Sequence, residues 1–292
     1  MKKVATIIVT YNGGKWIGKC LDSVQNSSYP SDIFIVDNAS TDETLSLIKS
    51  HHIFDLEISD NNLGFGAANN IALNKALQLN YDFYFLINQD IYLEENTLEQ
   101  LVQFAVNQKD AGIIAPIQYD GKGEMIDLNF KQYISNSQEK DSYYETTFAN
   151  AAAWLITKDC LQKTGIFNPI FSHYGEDRNY CDRVLFHQFS INIVKGSKVL
   201  HDRQQKMSLE KYIKLSKIKL LTIFLNPNFS KSQSIKIGLI NVFGMGKYFL
   251  RKHHSIGALF HFIPEYIRLF KQRNFLESEK NRQKSDPKKA EI

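Results

Sequence analysis

Three apolar stretches of this chain end in polar side chains able to do chemistry. Val4–Thr10 runs into Tyr11-Asn12, Asp32–Asp37 into Asn38, and Phe83–Asn88 into Gln89-Asp90. Hydroxyls, amides and carboxylates at such ends can bind a polar ligand, and a carboxylate such as Asp90 can hold a hard divalent cation through oxygen. A polar turn explains any one of these ends; three together point to a site. Two more acids, Glu176 and Asp177, follow Phe171-Ser172-His173-Tyr174 where a helical pattern begins. The free amides of a helix start favour an ionised carboxylate, which suits proton removal, although acids at a helix N-terminus are ordinary. His201 follows Lys198-Val199-Leu200 and can ligate a metal or simply pack.

The elements that must position these residues alternate. Val4–Thr10, Asp32–Asp37, Leu56–Ser59, Phe83–Asn88 and Ala111–Pro116 read as strands, the most apolar of them as strands covered on both faces. Trp16–Gln25, a helix opened by Thr41-Asp42-Glu43-Thr44, Ala67–Leu79 and Thr97–Asn107 carry helical signals between them. This order predicts an α/β fold with a mostly parallel central sheet flanked by helices. Ligands of such sheets gather beyond the carboxyl ends of the strands, where the polar clusters fall. Gly64-Phe65-Gly66 is not a dinucleotide fingerprint, because the third glycine is missing and it does not follow the first strand.

From Tyr119 to Thr147 the pattern is polar and irregular, a loop or hairpin beside the site, least structured over Ser135–Asp141. Order returns at Ala149–Ile156 and Lys158–Thr164, then in a helix at Arg178–His187 and extended segments at Ile191–Val194 and Lys198–His201. Leu209–Leu225, Gln233–Arg251 and Ile256–Phe270 read as basic helices, and the charged residues from Asn274 onward as a frayed tail.

Composition narrows the class. The net charge of +4 is unevenly spread: residues 203–273 hold 14 Lys and Arg against two acids, Glu210 and Glu265, so the rest of the chain is acidic. The basic helices interleave Lys211, Lys214 and Lys217 with Tyr212, Ile213, Leu215 and Ile218, and Lys247, Arg251 and Lys252 with Tyr248, Phe249 and Leu250. That mixture suits peripheral contact with an anionic membrane surface and equally suits a helix packed on the domain with solvated lysines. Cys20, Cys160 and Cys181 are odd in number and lack a metal-binding rhythm, so reduced thiols are expected. No uncharged apolar run reaches the roughly 20 residues needed to span a bilayer, and Val4–Thr10 reads as a first strand, not a signal peptide. A cytoplasmic protein follows, with no nucleic-acid partner expected.

The motifs together resemble those of family 2 glycosyltransferases, over roughly Met1–Asp202, and within them the bacterial rhamnosyltransferase-like branch. The resemblance rests on Ile8-Val9-Thr10-Tyr11-Asn12, Val36-Asp37-Asn38-Ala39-Ser40-Thr41-Asp42, the segment from Asn62 to Asn70, Asn88-Gln89-Asp90, and Gly175-Glu176-Asp177. It implies a GT-A nucleotide-diphospho-sugar transferase fold over residues 1–202; beyond it, composition reads as a basic amphipathic helical extension over 203–273 and a charged, disordered tail over 274–292. Asn88-Gln89-Asp90 takes the place of the family's Asp-x-Asp motif, so Asp90 is implied as ligand of Mn²⁺ or Mg²⁺, with His201 completing the metal shell and Asn88 at the ribose or a metal-bound water. Asp177 is implied as the base of an inverting transfer, with Glu176 positioning the acceptor. Where the family often carries a further Asp, this chain has Asn179.

The resemblance further implies that Thr10, Tyr11 and Asn12 line the base and ribose pocket. Asp37 would accept from a pyrimidine N3–H, and Asn62, Gly64 and Asn69 would bring backbone close to the nucleotide. Asn150 and Trp154 border the acceptor. The implied partners are a dTDP-rhamnose or UDP-hexose donor and a glycan or lipid-linked glycan acceptor. Two competing readings are a sugar-1-phosphate nucleotidyltransferase, whose early loop would hold a triphosphate with Arg and Lys where residues 9–15 offer no Arg, and a non-catalytic nucleotide- or glycan-binding paralogue.

Overall fold

The computed structural model describes residues 1–203, 208–253 and 259–285. Its centre is a ten-stranded sheet. In chain order the first part runs β1 (Val4–Thr10), α1 (Ile17–Gln25), β2 (Asp32–Asp37), α2 (Thr44–Lys49), β3 (Asp55–Ile58), α3 (Phe65–Gln78), β4 (Phe83–Asn88), β5 (Ile91–Leu93), α4 (Thr97–Asn107) and β6 (Ala111–Asp120). The second part runs α5 (Leu128–Ser135), β7 (Gln138–Glu139), β8 (Tyr143–Thr146), β9 (Ala153–Thr157), α6 (Lys158–Thr164), α7 (Glu176–Phe186) and β10 (Ser190–His201). The sheet order is β3-β2-β1-β4-β9-β6-β10-β8-β7, with β5 paired to β10.

The parallel character expected from the β-α alternation holds across β3-β2-β1-β4 and again between β6 and β10. Between these blocks β9 runs antiparallel to both β4 and β6. β9 runs the same way as β8, since both are antiparallel to the β6–β10 pair, and the short link 147–152 joins them without a helix. Side-chain alternation divides the sheet's two faces. Ile7, Phe34, Leu86 and Trp154 face one core with α3, α6 and α7, while Ile8, Ile35, Phe85 and Leu155 face the other with α1, α2 and α4.

The polar stretch 119–147 is more ordered than its composition suggests. β6 extends to Asp120, and Asp127 caps α5 by accepting from the amides of Asn129 and Phe130, both at 3.0 Å. One fully buried ring, Phe130, then anchors this short helix. The segments around Val194 and Lys198 form one strand, β10, with a register shift between them. Its second half pairs with β6 and β5 and carries His201 to the sheet edge.

Four helices follow: α8 (Leu209–Leu225), α9 (Lys231–His253), α10 (Leu259–Lys271) and α11 (Arg273–Lys284). They bury a third cluster of Leu220, Phe224, Val242, Phe249, Phe262 and Leu276 together with Phe171 of the main body. The tail expected to be disordered from Asn274 is helical through Lys284. Its reason is tertiary: Leu276 is buried, Lys280 donates to the Phe229 carbonyl at 3.0 Å, and the Asn179 amide donates to Gln283 Oε1 at 3.1 Å. The rest of that tail, 286–292, lies outside the described residues. Among the described residues no helix is long and apolar enough to cross a membrane. All three cysteines are buried and unpaired, and burial raises each thiol pKa.

Candidate active site

Parallel register sets Thr10 beside Asp37 and Val9 beside Asn88, so three polar strand ends share one edge. The edge divides into residues that build the wall and residues that face the cleft. Thr10 and Asp37 are fully buried. Thr10 Oγ1 donates to Asp37 Oδ1 at 2.8 Å, and the Ser40 hydroxyl and amide donate to the same carboxylate at 2.6 and 2.9 Å. The expected contact from Asp37 to a base is therefore corrected. Two donors from its own turn and one from the neighbouring strand occupy the carboxylate, which shapes the wall from within.

Asn12, at φ 45°, likewise ties loops: its Oδ1 accepts from the Thr41 amide at 2.9 Å. Tyr11 does face the cleft. Its amide donates to Gln89 Oε1 at 2.9 Å, and Gln89 Nε2 donates back to the Tyr11 carbonyl at 3.2 Å. Gln89, the middle residue of its motif, is thus the clasp between the ends of β1 and β4, a role its position in sequence did not signal.

The opposite wall is the turn before α3. Asn38 Nδ2 donates to Asn62 Oδ1 at 3.1 Å, and Asn38 Oδ1 accepts from the Leu63 amide at 2.8 Å. Asn38, Asn62 and Gly64 all line the cleft. Gly64 adopts φ 82°, and a Cβ there would meet the Ser172 carbonyl oxygen at 2.0 Å. Only glycine allows this backbone turn and this approach together, and through it the turn packs on the loop carrying the acidic pair. Asn69 is a correction: it is buried inside α3, and its side-chain amide donates to the Phe65 carbonyl one turn back at 2.9 Å.

The β5–β10 pairing brings Asp90 and His201 together across more than a hundred residues. His201 opposes Ile91, and the Asp202 amide donates to the Asp90 carbonyl at 2.9 Å. His201 Nε2 then stands 3.6 Å from Asp90 Oδ1. On its other side, Gln118 Nε2 donates to Asn150 Oδ1 at 2.8 Å, leaving Gln118 Oε1 to accept from His201 Nδ1 at 3.2 Å. This network assigns the proton of the neutral imidazole to Nδ1 and turns the Nε2 lone pair toward Asp90. A carboxylate and an imidazole lone pair converging on one point fit a divalent cation, with the remaining positions left to phosphate oxygens. Among the described residues no three His, Cys, Asp or Glu side chains converge as a metal group; Asp90 and His201 are the two side chains here that could hold a metal ion.

Glu176 and Asp177 open α7 behind Gly175 and face the same cleft. Glu176 is buried with Oε2 unpartnered. Burial first, and then the Asp177 charge, pushes its carboxyl pKa up to about 7. Asp177 is also raised by burial, against the Arg178 amide, which donates to its Oδ1 at 2.7 Å. His173, on the cleft rim, is pulled below its ordinary value by burial and by Lys214 and Lys211 of α8. Asn150 lines the cleft. Trp154, expected at the acceptor, is instead a core residue with no exposure, its ring 5.9 Å from Tyr180 and 6.5 Å from Phe167. The alternation of β9 points it inward.

The cleft is one space in two lobes, of about 220 and 280 Å³, sharing Phe65, Asn88, Asp90 and His173. Tyr11, Asn38 and Asn62 line the first; Asn150, Glu176, Asp177 and His201 line the second.

Known proteins bear on the family and the fold. The chain is 26% identical to the poly(ribitol-phosphate) β-N-acetylglucosaminyltransferase TarS of Staphylococcus aureus (strain Mu50 / ATCC 700699) over 195 residues, 64% of this chain and 32% of that protein. It is 31% identical to the O-antigen chain rhamnosyltransferase RfbN of Salmonella typhimurium over 106 residues, 35% of this chain and 33% of that protein. The chain thus spans about a third of the length of each of these two curated relatives. The crystal structure of S. aureus TarS 1–349 in complex with UDP-GlcNAc superposes with a TM-score of 0.67 at 16% identity, covering 97% of this chain and 89% of that one. That likeness establishes a GT-A-like fold. The family described as glycosyl transferase family 2 matches residues 5–165, more than half of the chain, and the chain belongs to it.

Proposed function

We propose that this protein transfers a sugar, with inversion, from a nucleotide-diphosphate donor to a hydroxyl of a cell-surface polysaccharide or lipid-linked glycan precursor. The observation that carries the reading is the meeting, in one cleft, of the Asp90–His201 pair with the Glu176–Asp177 pair. The nucleotide would lie in the lobe of Tyr11, Asn38 and Asn62, with the Tyr11 ring available to pack on the base. Mn²⁺ or Mg²⁺ held by Asp90 and His201 would neutralise the charge that builds on the departing diphosphate. Asn88, which lines both lobes, could hydrogen-bond the donor without adding charge.

Asp177 removes the proton of the acceptor hydroxyl as its oxygen attacks the anomeric carbon. The bond from that carbon to the glycosidic phosphate oxygen breaks on the opposite side, and nucleoside diphosphate leaves. Burial raises the proton affinity of Asp177, which strengthens it as a base. Glu176, close to half-protonated near neutrality, can donate a hydrogen bond that orients the acceptor. The relatives' printed names support two donor classes, a UDP-sugar such as the UDP-GlcNAc bound by TarS and an activated rhamnose.

The test is a thermal-shift panel of UDP, dTDP, GDP and CDP with and without Mn²⁺. Stabilisation by UDP or dTDP, enhanced by Mn²⁺, is expected; stabilisation by none of the four overturns the reading. Replacing Asp177→Asn should abolish transfer while nucleotide-induced stabilisation persists, and retained turnover would remove Asp177 as the base.

A further inference from the structure

The C-terminal helices present a surface that the cleft does not use. On α9, Ser234, Val242, Met245 and Phe249 are buried against the neighbouring helices. The other side of the same helix repeats at three- and four-residue intervals through Lys236, Leu239, Phe243, Lys247 and Leu250, all exposed. Phe243 is 63% exposed and the adjacent Ile240 59%. A solvated helix face is ordinarily polar; here large apolar groups stand in water beside charges of a single sign. α10 continues the pattern with Phe260, 77% exposed, then Ile263, Ile267 and Phe270 at the same intervals. No Asp or Glu occurs anywhere between Glu210 and Glu265.

We propose that α9 and α10 dock this protein on an anionic lipid bilayer, with Phe243 and Phe260 entering the headgroup boundary and Lys236, Lys247 and Arg251 facing lipid phosphates. Charge selects this occupant. A second copy meeting this face symmetrically would set its lysines against their own counterparts, whereas an anionic surface complements them. The helices lie on the bilayer and do not span it, since none of those described is long and apolar enough to cross.

The surface connects to the cleft through α8, which packs on both α9 and α10. Its Ile218 closes on Gly175, where a Cβ would meet it at 2.5 Å, and Lys211 and Lys214 lie 5.4 and 5.5 Å from the Tyr174 ring. Docking would therefore hold the cleft beside the lipid surface, a geometry suited to a lipid-borne acceptor; that corollary alone rests on the proposed transferase reading.

The experiment is flotation of the full chain with phosphatidylcholine vesicles, with and without phosphatidylglycerol, read without any activity measurement. Binding to the anionic vesicles, weak binding to the neutral ones and release as salt rises from about 0.1 to 1 M are expected. Lys236→Gln with Lys247→Gln should lower partitioning about fivefold per lysine. Phe243→Ser with Phe260→Ser should also lower it without shifting the thermal midpoint, because both rings are already exposed. Absence of flotation, or equal binding to both vesicle types, overturns the proposal. So does sedimentation velocity showing a dimer that the Phe243→Ser and Phe260→Ser variant converts to monomer, since a second copy would then cover the face.

Discussion

Glu176 couples the site's chemistry to the stability of the whole protein. Its carboxyl is held at about 7 against an ordinary 4.5, so the folded protein binds this proton more tightly than the unfolded chain does. Stability must then fall as pH rises between those two values, because the folded state gives up a proton that the unfolded state has already lost. At 1.36 kcal/mol per tenfold in affinity, the ionised carboxylate costs the fold about 3 kcal/mol above neutrality. Glu176→Gln has no charge to bury and removes that cost. Urea unfolding across pH 4.5 to 8 should show the variant gaining about 3 kcal/mol on the wild type as pH rises, on top of a constant offset from the amide's own hydrogen bonds. Parallel stability curves, with the same difference at both ends, would refute the argument that burial and Asp177 hold this proton in place.

Other perturbations separate the remaining supports of the site. Gly64→Ala forces a side chain into φ 82° and onto the Ser172 carbonyl. A loss above about 2 kcal/mol in unfolding free energy is expected, together with a weaker nucleotide-induced thermal shift. Gln118→Leu removes the partner of His201 Nδ1; titrating Mn²⁺ in the presence of nucleotide should show affinity down about 10- to 100-fold. Phe249→Ala empties the centre of the α8–α11 cluster, where the ring stands 5.3 Å from Phe262. It should cost about 3 to 5 kcal/mol, seen by hydrogen exchange as faster opening of those four helices.

Much of the scaffold was legible in the amino-acid order. β1, β2, β4 and α4 have the bounds that hydropathy and capping signals indicate, because each is long, strongly patterned and bounded by polar or turn residues. Elements built from few or polar residues were not legible. α5 rests on one cap and one buried ring, and α11 on contacts to Phe229 and Asn179 made by residues far away in the chain. A composition that reads as a frayed tail becomes a helix once Leu276 and the stem of Lys280 are covered.

The candidate site divides in the same way. The sequence by itself determined which strands end in polar groups and that Glu176 and Asp177 begin a helix, since these are local matters of hydropathy and capping. Only the tertiary structure decided which of those groups reach the cleft. Asp37, Asn69 and Trp154 turn inward because neighbouring donors or apolar faces claim them, while Asn38 and Gln89 become the ties that hold the cleft's walls. The meeting of Asp90 with His201 is decided by the β5–β10 register, and pairing between distant strands is a choice that no local pattern encodes.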